Sequence, residues 1–188
     1  MLDYGCGEQI HADIVAAAAG EVLLCDQALP VRAALERRFA GTARIRVSSP
    51  EDLEKEPANS IELIVANSVI QYLTAAEFDR LLALWRRLLT ANGTLIVADV
   101  IPPGVGAASD VAALLRYAAD NGFLLAALAG LTRTAVSPYR KLRRTLGIAQ
   151  YTEADFIRRL AAAGYAAERL PYNFEHNPAR MTFRARAG

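Results

Sequence analysis

Short apolar runs alternate with longer amphipathic segments along the first hundred residues of the chain. The run IELIVA at residues 61–66 is almost wholly apolar, as expected of a strand that is buried on both faces of a sheet. Strands that alternate with helices in this way are typical of an α/β fold with a mainly parallel sheet. The predicted strands are residues 2–4, 21–25, 44–47, 61–66 and 94–98, and the predicted helices are residues 9–19, 28–40 and 74–89 with a short one from residue 50.

Capping and turn residues mark several element boundaries. Ser49 followed by Pro50 predicts a helix start with a serine cap and proline in the first turn. Thr74 and Glu77 form the capping-box pattern at the start of the long fourth helix. Asn-Gly at residues 92–93 predicts the end of that helix, just before the fifth strand.

The alternation stops after residue 101 and resumes after residue 150. Pro-Pro-Gly at residues 102–104 interrupts the chain, and a helical segment rich in alanine and leucine follows. A capped helix over residues 152–163 then leads to two strands at residues 166–170 and 180–185, which we expect to pair as an antiparallel hairpin. We therefore predict a single domain, residues 1–188, with a helical insertion at residues 102–150.

Composition narrows the function classes. The chain has 188 residues, an apolar fraction of 53% and a net charge of +1, which argue against a disordered chain and against nucleic acid as a partner. Two cysteines are too few for a disulfide scaffold and favour the cytoplasm, and abundant alanine and arginine suggest a bacterial source. The most apolar stretch, residues 111–131, contains Arg116 and Asp120, so we expect no membrane span.

The stretch LDYGCGEQ at residues 2–9 places two glycines directly after the first predicted strand. Gly5 and Gly7 let the backbone approach a ligand closely, and the following helix offers free N–H groups. Asp26 ends the second strand, about 20 residues further on, where an acid can accept hydrogen bonds from both ribose hydroxyls. Since both loops border the same crevice in a doubly wound sheet, the pattern predicts a ligand that contains a nucleoside.

The ordered set of motifs resembles that of the class I S-adenosylmethionine-dependent methyltransferases. Their first motif, an acid followed by G-x-G-x-G, is similar to the segment from Asp3 to Gln9. Further similarities follow at Asp26, at residues 48–53 and 61–73, at the fifth strand through Asp99, and at the closing helix and hairpin. A nicotinamide-dependent oxidoreductase is disfavoured, because the dinucleotide fingerprint needs glycine where this chain has Ile10.

The resemblance covers nearly the whole chain outside residues 102–150 and implies its architecture. The sheet would be doubly wound and seven-stranded, with strand order 3-2-1-4-5-7-6, an antiparallel last strand and helices on both faces. The helices that usually precede the first strand in this family are absent from the sequence. Three explanations stay open: a longer natural chain, an open site, or a second subunit that covers the site.

The resemblance also implies the cofactor, S-adenosylmethionine, with S-adenosylhomocysteine as product, and the residues that would bind it. Gly5, Cys6 and Gly7 would pass under the methionine part, Asp3 would hold its ammonium group, and Asp26 would bind the ribose. The remaining implied contacts are Gln27, Ser49, Pro50 and Glu51 around the adenine and the backbone of Asn67 at the methionyl amino group. Gln9 in place of the motif's last glycine and Pro50, which has no N–H, are departures from the family pattern.

The candidate base for methyl transfer is His176 together with Glu175, in the loop before the last strand. The alternative for His176 is a solvated loop residue, and His11 is expected on a helix surface. Asp99 either faces the acceptor or caps the following segment. We find no metal-ligand spacing of cysteine and histidine residues.

These observations predict a methyltransferase acting on a small-molecule or lipid-like acceptor, of apolar character. The insertion at residues 102–150 would cover the acceptor or pair with a second copy of the chain as a homodimer. Its basic run YRKLRR at residues 139–144 is either a solvated helix face or a phosphate contact. The competing hypothesis is a catalytically degenerate domain of the same fold, serving as a binding module or subunit.

Overall fold

A computed structural model describes residues 1–135 and 148–187 of the chain, with the side chains of all of these except residues 132–135. The strands are β1 (Leu2–Tyr4), β2 (Val22–Cys25), β3 (Ile45–Ser48), β4 (Ile61–Asn67), β5 (Leu89–Val100), β6 (Tyr165–Arg169) and β7 (Met181–Ala187). The helices are α1 (Ala12–Ala19), α2 (Leu29–Arg38), α3 (Pro50–Leu53), α4 (Ala75–Leu88), α5 (Ala107–Asp120), α6 (Leu124–Ala135) and α7 (Glu153–Ala162), with a 3-10 turn at Ile70–Tyr72.

The strands form one sheet in the order β3-β2-β1-β4-β5-β7-β6, with β7 antiparallel to both of its neighbours. This order and the antiparallel last strand confirm the prediction. Asp3 lies opposite Leu24 and Val65 on the neighbouring strands, and Asn67 lies opposite Ala98. The carboxyl ends of β1, β2, β4 and β5 therefore meet at one edge of the sheet, where open α/β sheets bind ligands.

Apolar side chains are packed on both faces of the sheet. On one face, helices α4 and α7 contribute an aromatic stack in which the ring centroid of Phe156 lies 5.5 Å from that of Phe78 and 4.5 Å from that of Phe183. On the other face, alanines of α1 and Leu35 of α2 pack against Leu24. Helices on both sides of a parallel sheet explain why the strands read as apolar runs.

One predicted boundary is wrong. The long helix ends at Leu88, and β5 begins at the next residue, because Leu89 already pairs with Ile61. The register then shifts before Leu63 pairs with Thr94, so the Asn-Gly segment at residues 92–93 lies inside β5, at a bulge. The Asn-Gly segment does mark an irregularity of the backbone, but that irregularity is a bulge inside β5 and not the end of the helix.

Other boundaries agree more closely. Thr74 and Glu77 form the predicted capping box of α4, and Ser49 caps α3 by accepting a hydrogen bond from the N–H of Asp52. Helix α1 starts at Ala12 rather than at residue 9, since residues 9–11 form a turn.

The predicted insertion contains α5 and α6, whereas the basic run at residues 139–144 lies outside the described residues. Within residues 1–135 and 148–187, no helix has the length and apolar character needed to cross a membrane.

Candidate active site

The glycine loop after β1 is packed tightly against the chain that leaves β4. The N–H groups of Gly5 and Cys6 donate to the carbonyl of Cys25, at 2.7 and 3.1 Å. Gly5 has a φ of 71°, and a Cβ there would come within 2.3 Å of Cγ2 of Val69, so only glycine fits without rearrangement. The half-buried thiol of Cys6 has its pKa raised to about 12 by burial, and it therefore stays protonated at neutral pH.

Asp26 joins the two loops that follow β1 and β2. Its carboxylate accepts hydrogen bonds from the N–H of Gly7 at 3.0 Å and from the N–H of Ala28 at 2.8 Å. The guanidinium of Arg32 donates to the backbone carbonyls of Asp26 and Gln27, each at 2.8 Å. The carboxylate is thus fixed at the carboxyl edge of the sheet, where the sequence predicted a ribose-binding acid.

Asp3 lies beneath the glycine loop and is only 8% exposed. Burial raises the pKa of its carboxyl group, a hydrogen bond from the side chain of Gln9 lowers it, and the charge of Asp26 raises it further. Gln9 itself has a φ of 34°, a left-handed conformation that favours glycine. The residue that departs from the family motif is therefore the one that holds Asp3, a role that the sequence did not reveal.

The third loop of this edge carries the predicted adenine contacts. The N–H of Asp26 donates to the carbonyl of Ser48 at 3.4 Å, which brings the end of β3 beside the ribose acid. The hydroxyl of Ser49 donates to the carboxylate of Asp52 at 2.9 Å while it caps α3. Pro50 occupies the first helical turn, and Glu51 is exposed. Ser49 is thus engaged locally, and backbone groups of this loop face any ligand beside Asp26.

On the acceptor side, Asn67 at the end of β4 donates from its side-chain amide to Oε1 of Glu175 at 2.6 Å. The amide oxygen of Asn67 is buried and accepts no hydrogen bond from the described residues. Glu175 comes from the loop at residues 171–178, more than a hundred positions away in the sequence. The structure thus brings together Asn67 and one of the two candidate catalytic residues.

Glu175 and His176 both line a cleft of about 420 Å³ between α5 and the 171–178 loop. We call this volume the aromatic cleft, because Tyr117, Phe123 and Phe174 form much of its wall. The rings of Tyr117 and Phe123 are 5.8 Å apart in an edge-to-face arrangement. The other lining residues are Leu114 and Asn173. A cleft of this size with a few polar groups is typical of small-molecule sites.

His11 lies apart from this arrangement. It is exposed in the turn before α1, and its carbonyl accepts a hydrogen bond from the N–H of Val15. In the part of the chain that the structure describes, no group of three or more acidic, cysteine or histidine side chains is arranged to hold a metal ion.

A buried polar network behind the cleft was not anticipated. It connects the ends of β4 and β5, the 171–178 loop and α5, and its charged members are Asp99, Asp110 and Arg180. Asp99 alone had been considered, as an acceptor-facing residue or a cap; in the structure it is a buried ion-pair partner. These residues are far apart in the sequence and follow no local pattern, so the sequence carries little signal for their contact.

Comparison with known proteins identifies the family to which this chain belongs. The sequence profile of a family described as the methyltransferase domain matches residues 2–97, which contain the glycine loop, Asp26 and the exit of β4. The chain belongs to the methyltransferase domain family. No curated protein matches the sequence significantly.

Solved structures that resemble the methyltransferase domain share its fold at low identity. Human N-acetylserotonin methyltransferase in complex with SAM superposes with a TM-score of 0.64 at 13% identity, over 100% of this chain and 47% of the human chain. Magnesium protoporphyrin IX methyltransferase from Synechocystis PCC 6803 with bound SAH gives 0.62 at 16% identity, over 100% of this chain and 73% of that chain. A chain from the complex of the Haloferax volcanii Trm112 methyltransferase activator gives 0.65 at 11% identity, over 99% of this chain and 81% of that one. This chain thus spans about half the length of the human protein.

Proposed function

We propose that this methyltransferase domain transfers a methyl group from S-adenosylmethionine to a small, apolar acceptor that carries an ionisable hydroxyl or amine. The observation that carries the proposal is the hydrogen bond between Asn67 and Glu175. It links the end of β4, next to the glycine loop, to a carboxylate in the aromatic cleft. Direct transfer between two bound molecules requires that both are held close together, and this hydrogen bond supports such an arrangement.

The residues around the glycine loop fit the cofactor. Gly7, with a φ of 57°, has nothing within 4 Å of the position of a Cβ, so the loop borders open space there, whereas Gly5 packs against Val69. The carboxylate of Asp26 would accept hydrogen bonds from the ribose hydroxyls, and the buried carboxylate of Asp3 would suit the methionyl ammonium, since a cation would relieve its unfavourable burial. When bound, S-adenosylmethionine supplies the methyl group on a positively charged sulfur. The remaining proposed cofactor contacts are Cys6, Gly7, Gln27, Ser49, Pro50, Glu51 and the backbone of Asn67.

Glu175 is the proposed base on the acceptor side. Its Oε1 is held by the amide of Asn67, which leaves Oε2 to accept the proton that the hydroxyl or amine of the acceptor would lose. His176 follows in the same loop and lines the same cleft, so it can orient the acceptor or receive the proton in its turn. The aromatic rings of the cleft favour an acceptor with a flat apolar surface.

The cofactor assignment is tested by calorimetry with S-adenosylhomocysteine and with NAD. We expect only the sulfur compound to bind, and Asp26→Asn to weaken it by about 10- to 100-fold, as loss of a charge-assisted hydrogen bond does. Asp13→Asn, an exposed acid in the first turn of α1, is the matched control and should leave binding unchanged. If S-adenosylhomocysteine does not bind, the proposed function is wrong.

The base is tested by turnover on a panel of aromatic hydroxyl and amine acceptors. Glu175→Gln keeps the size of the side chain, and we expect it to reduce kcat by about 100-fold or more while S-adenosylhomocysteine binding persists. His176→Ala should lower kcat less than Glu175→Gln does; the reverse order would transfer the role of base to His176. Cofactor binding without turnover on any acceptor would instead favour the degenerate binding domain.

We also propose that two copies of the chain associate through the helical region at residues 102–150. Helix α6 carries exposed leucines, of which Leu125 is 83% exposed. Large exposed apolar side chains on one helix support an interface with another copy.

A further inference from the structure

Arg180, the residue before β7, binds two buried carboxylates at once. Its Nε and Nη2 donate to Oδ1 and Oδ2 of Asp110 at 3.0 and 2.7 Å, a bidentate pair. Its Nη1 donates to Oδ2 of Asp99 and, at 3.4 Å, to the side-chain oxygen of Gln71. All the nitrogens of the guanidinium are therefore engaged, and Asp110 of α5 is joined to Asp99 at the end of β5.

The charged side chains of Arg180, Asp99 and Asp110 are largely shielded from solvent. The side chains of Arg180 and Asp99 are 9% and 5% exposed, and that of Asp110 is 17% exposed. Burial lowers the pKa of Arg180, but the hydrogen bond to Asp110 and the charges of Asp99 and Asp110 outweigh it, so the pKa is raised and the guanidinium stays charged. Removing the arginine would leave two buried carboxylates facing each other, which is strongly unfavourable.

The same carboxylates also fix the segments that border the aromatic cleft. Ser68, which follows Asn67, donates to Oδ2 of Asp99 at 2.7 Å. Asn173 donates to Oδ1 of Asp99 at 3.2 Å, and Asn177 donates to Oδ1 of Asp110 at 2.8 Å. Both asparagines belong to the loop that carries Glu175. The β4 exit, this loop and α5 are thus all connected to the carboxylates that Arg180 holds.

The backbone at this point is strained. Ser68 and Asp99 have φ angles of 58° and 64°, in the left-handed region that residues other than glycine rarely adopt. Such conformations persist where surrounding contacts impose them, and they concentrate at functional sites. Here the two residues are hydrogen-bonded to each other and lie directly beside Asn67. Their unusual conformations depend on the charged pair behind them.

Helix α5 buries little apolar surface in the part of the chain that the structure describes. Of its fourteen residues, Ala118 is the one that is buried, and the neighbour that α5 contacts most is α6. A helix with so little apolar burial is oriented mainly by its polar links. Those links are the hydrogen bonds that Asp110 and Ser109 accept from Arg180 and Asn177.

We propose that Arg180 is a positioning residue for the acceptor: by holding Asp110 against Asp99, it fixes the α5 wall of the aromatic cleft and the loop that presents Glu175. This inference rests on the proposed function for its catalytic consequence. Arg180 donates no hydrogen bond to the glycine loop or to Asp26, and it reaches the cofactor half only indirectly, through Asp99 and Ser68 beside Asn67.

The test compares Arg180→Met and Arg180→Lys with Arg184→Met. Arg184 lies four residues further on, within β7, but forms an exposed ion pair with Glu168, which makes it a matched control. For Arg180→Met we expect amide hydrogen exchange in residues 107–120 to accelerate by about tenfold or more, and kcat/KM for the acceptor to fall by a similar factor. The dissociation constant of S-adenosylhomocysteine should rise by a smaller factor than the acceptor kcat/KM falls, since Arg180 reaches the cofactor half only indirectly. Arg180→Lys should be intermediate, since an ammonium cannot make the bidentate pair.

Unchanged exchange in α5 would overturn the inference, and so would faster exchange with an unchanged acceptor kcat/KM. If Arg180→Met does not fold, Asp110→Asn tests the same link, with the same expected directions, while the Arg180–Asp99 pair is kept. Failure of the parent protein to bind S-adenosylhomocysteine would refute the proposed function instead. The exchange measurement would still decide whether Arg180 holds α5.

Discussion

At the scale of single residues, the surroundings of Asp3 disfavour the charged form of its carboxyl group in the free protein. Its carboxyl group is buried and its pKa is raised, mainly by that burial and also by the charge of Asp26, and Gln9 only partly compensates. A raised pKa means that the folded protein binds this proton more tightly than the unfolded chain does. Stability is therefore lost as pH rises from the ordinary value of 3.8 through the raised pKa of the folded state. Such a cost is common where a residue is kept for binding.

We predict that Asp3→Asn stabilises the free protein at neutral pH, because the amide keeps an oxygen for Gln9 and carries no charge. The gain should vanish when the pH falls to about 4, near the ordinary pKa of aspartate. The same change should weaken S-adenosylmethionine binding by about tenfold. Thermal unfolding at several pH values and calorimetry measure the two effects, with Asp13→Asn as control. A variant that is destabilised equally at every pH would show that Asp3 has a purely structural hydrogen-bonding role.

Sequence reasoning found the cofactor half of the candidate site but little of the acceptor half. Asp3, Gly5 and Asp26 lie at the ends of neighbouring strands, so local motifs and strand order suffice to bring them together. The contact between Asn67 and Glu175 joins segments more than a hundred residues apart. Nothing in either local sequence specifies that contact, since it depends on how the last loop folds over the sheet.

At the scale of elements, the start of β5 shows how pairing overrides a local turn signal. Asn-Gly usually ends a helix or forms a turn, but here Leu89, three residues earlier, already pairs with Ile61 in the sheet. The extra residues are therefore accommodated as a bulge. A Cβ on Gly93 would come within 2.8 Å of Cδ2 of Leu89 and within 3.2 Å of the carbonyl oxygens of Thr90 and Ile61. The capped starts of α3 and α4, by contrast, depend on local hydrogen bonds and could be predicted.

We predict that Gly93→Ala destabilises the protein by about 1–3 kcal/mol, because backbone atoms must move to admit the methyl group. Urea unfolding measures the change. Asn92→Ala at the adjacent, exposed position is the control and should alter stability by less than about 0.5 kcal/mol. Affinity for S-adenosylhomocysteine should not change in either variant, as the bulge lies at the end of β5 away from the site. Equal stability of the two variants would mean that the bulge adapts freely.

At the scale of the whole molecule, the sheet order could be predicted because the ordered motifs resemble those of the class I methyltransferases, and that resemblance implies the order that the structure shows. How the region between β5 and α7 is attached to the rest of the fold could not be predicted from the sequence. Its commonest side chains are alanine and leucine, which indicate helix but not a packing partner. In the structure, α5 is held by charges and α6 exposes apolar groups, so this region borders the acceptor cleft on one side and offers an apolar surface on the other.

The exposed surface of α6 leads to a prediction about assembly. Leu124, Leu125 and Leu128 are 38%, 83% and 44% exposed, so they can form the apolar centre of an interface, which needs about 800 Å² from each partner. We expect the parent protein to sediment as a dimer and Leu125→Glu to sediment as a monomer, because a carboxylate would be buried without a partner. Ile14→Glu on α1, at a position 63% exposed, is the matched control and should remain dimeric. If Ile14→Glu dissociates the dimer and Leu125→Glu does not, the copies meet through α1, beside the glycine loop. A parent protein that stays monomeric at every concentration would leave the leucines of α6 with the other role considered for this region, which is to cover an apolar acceptor.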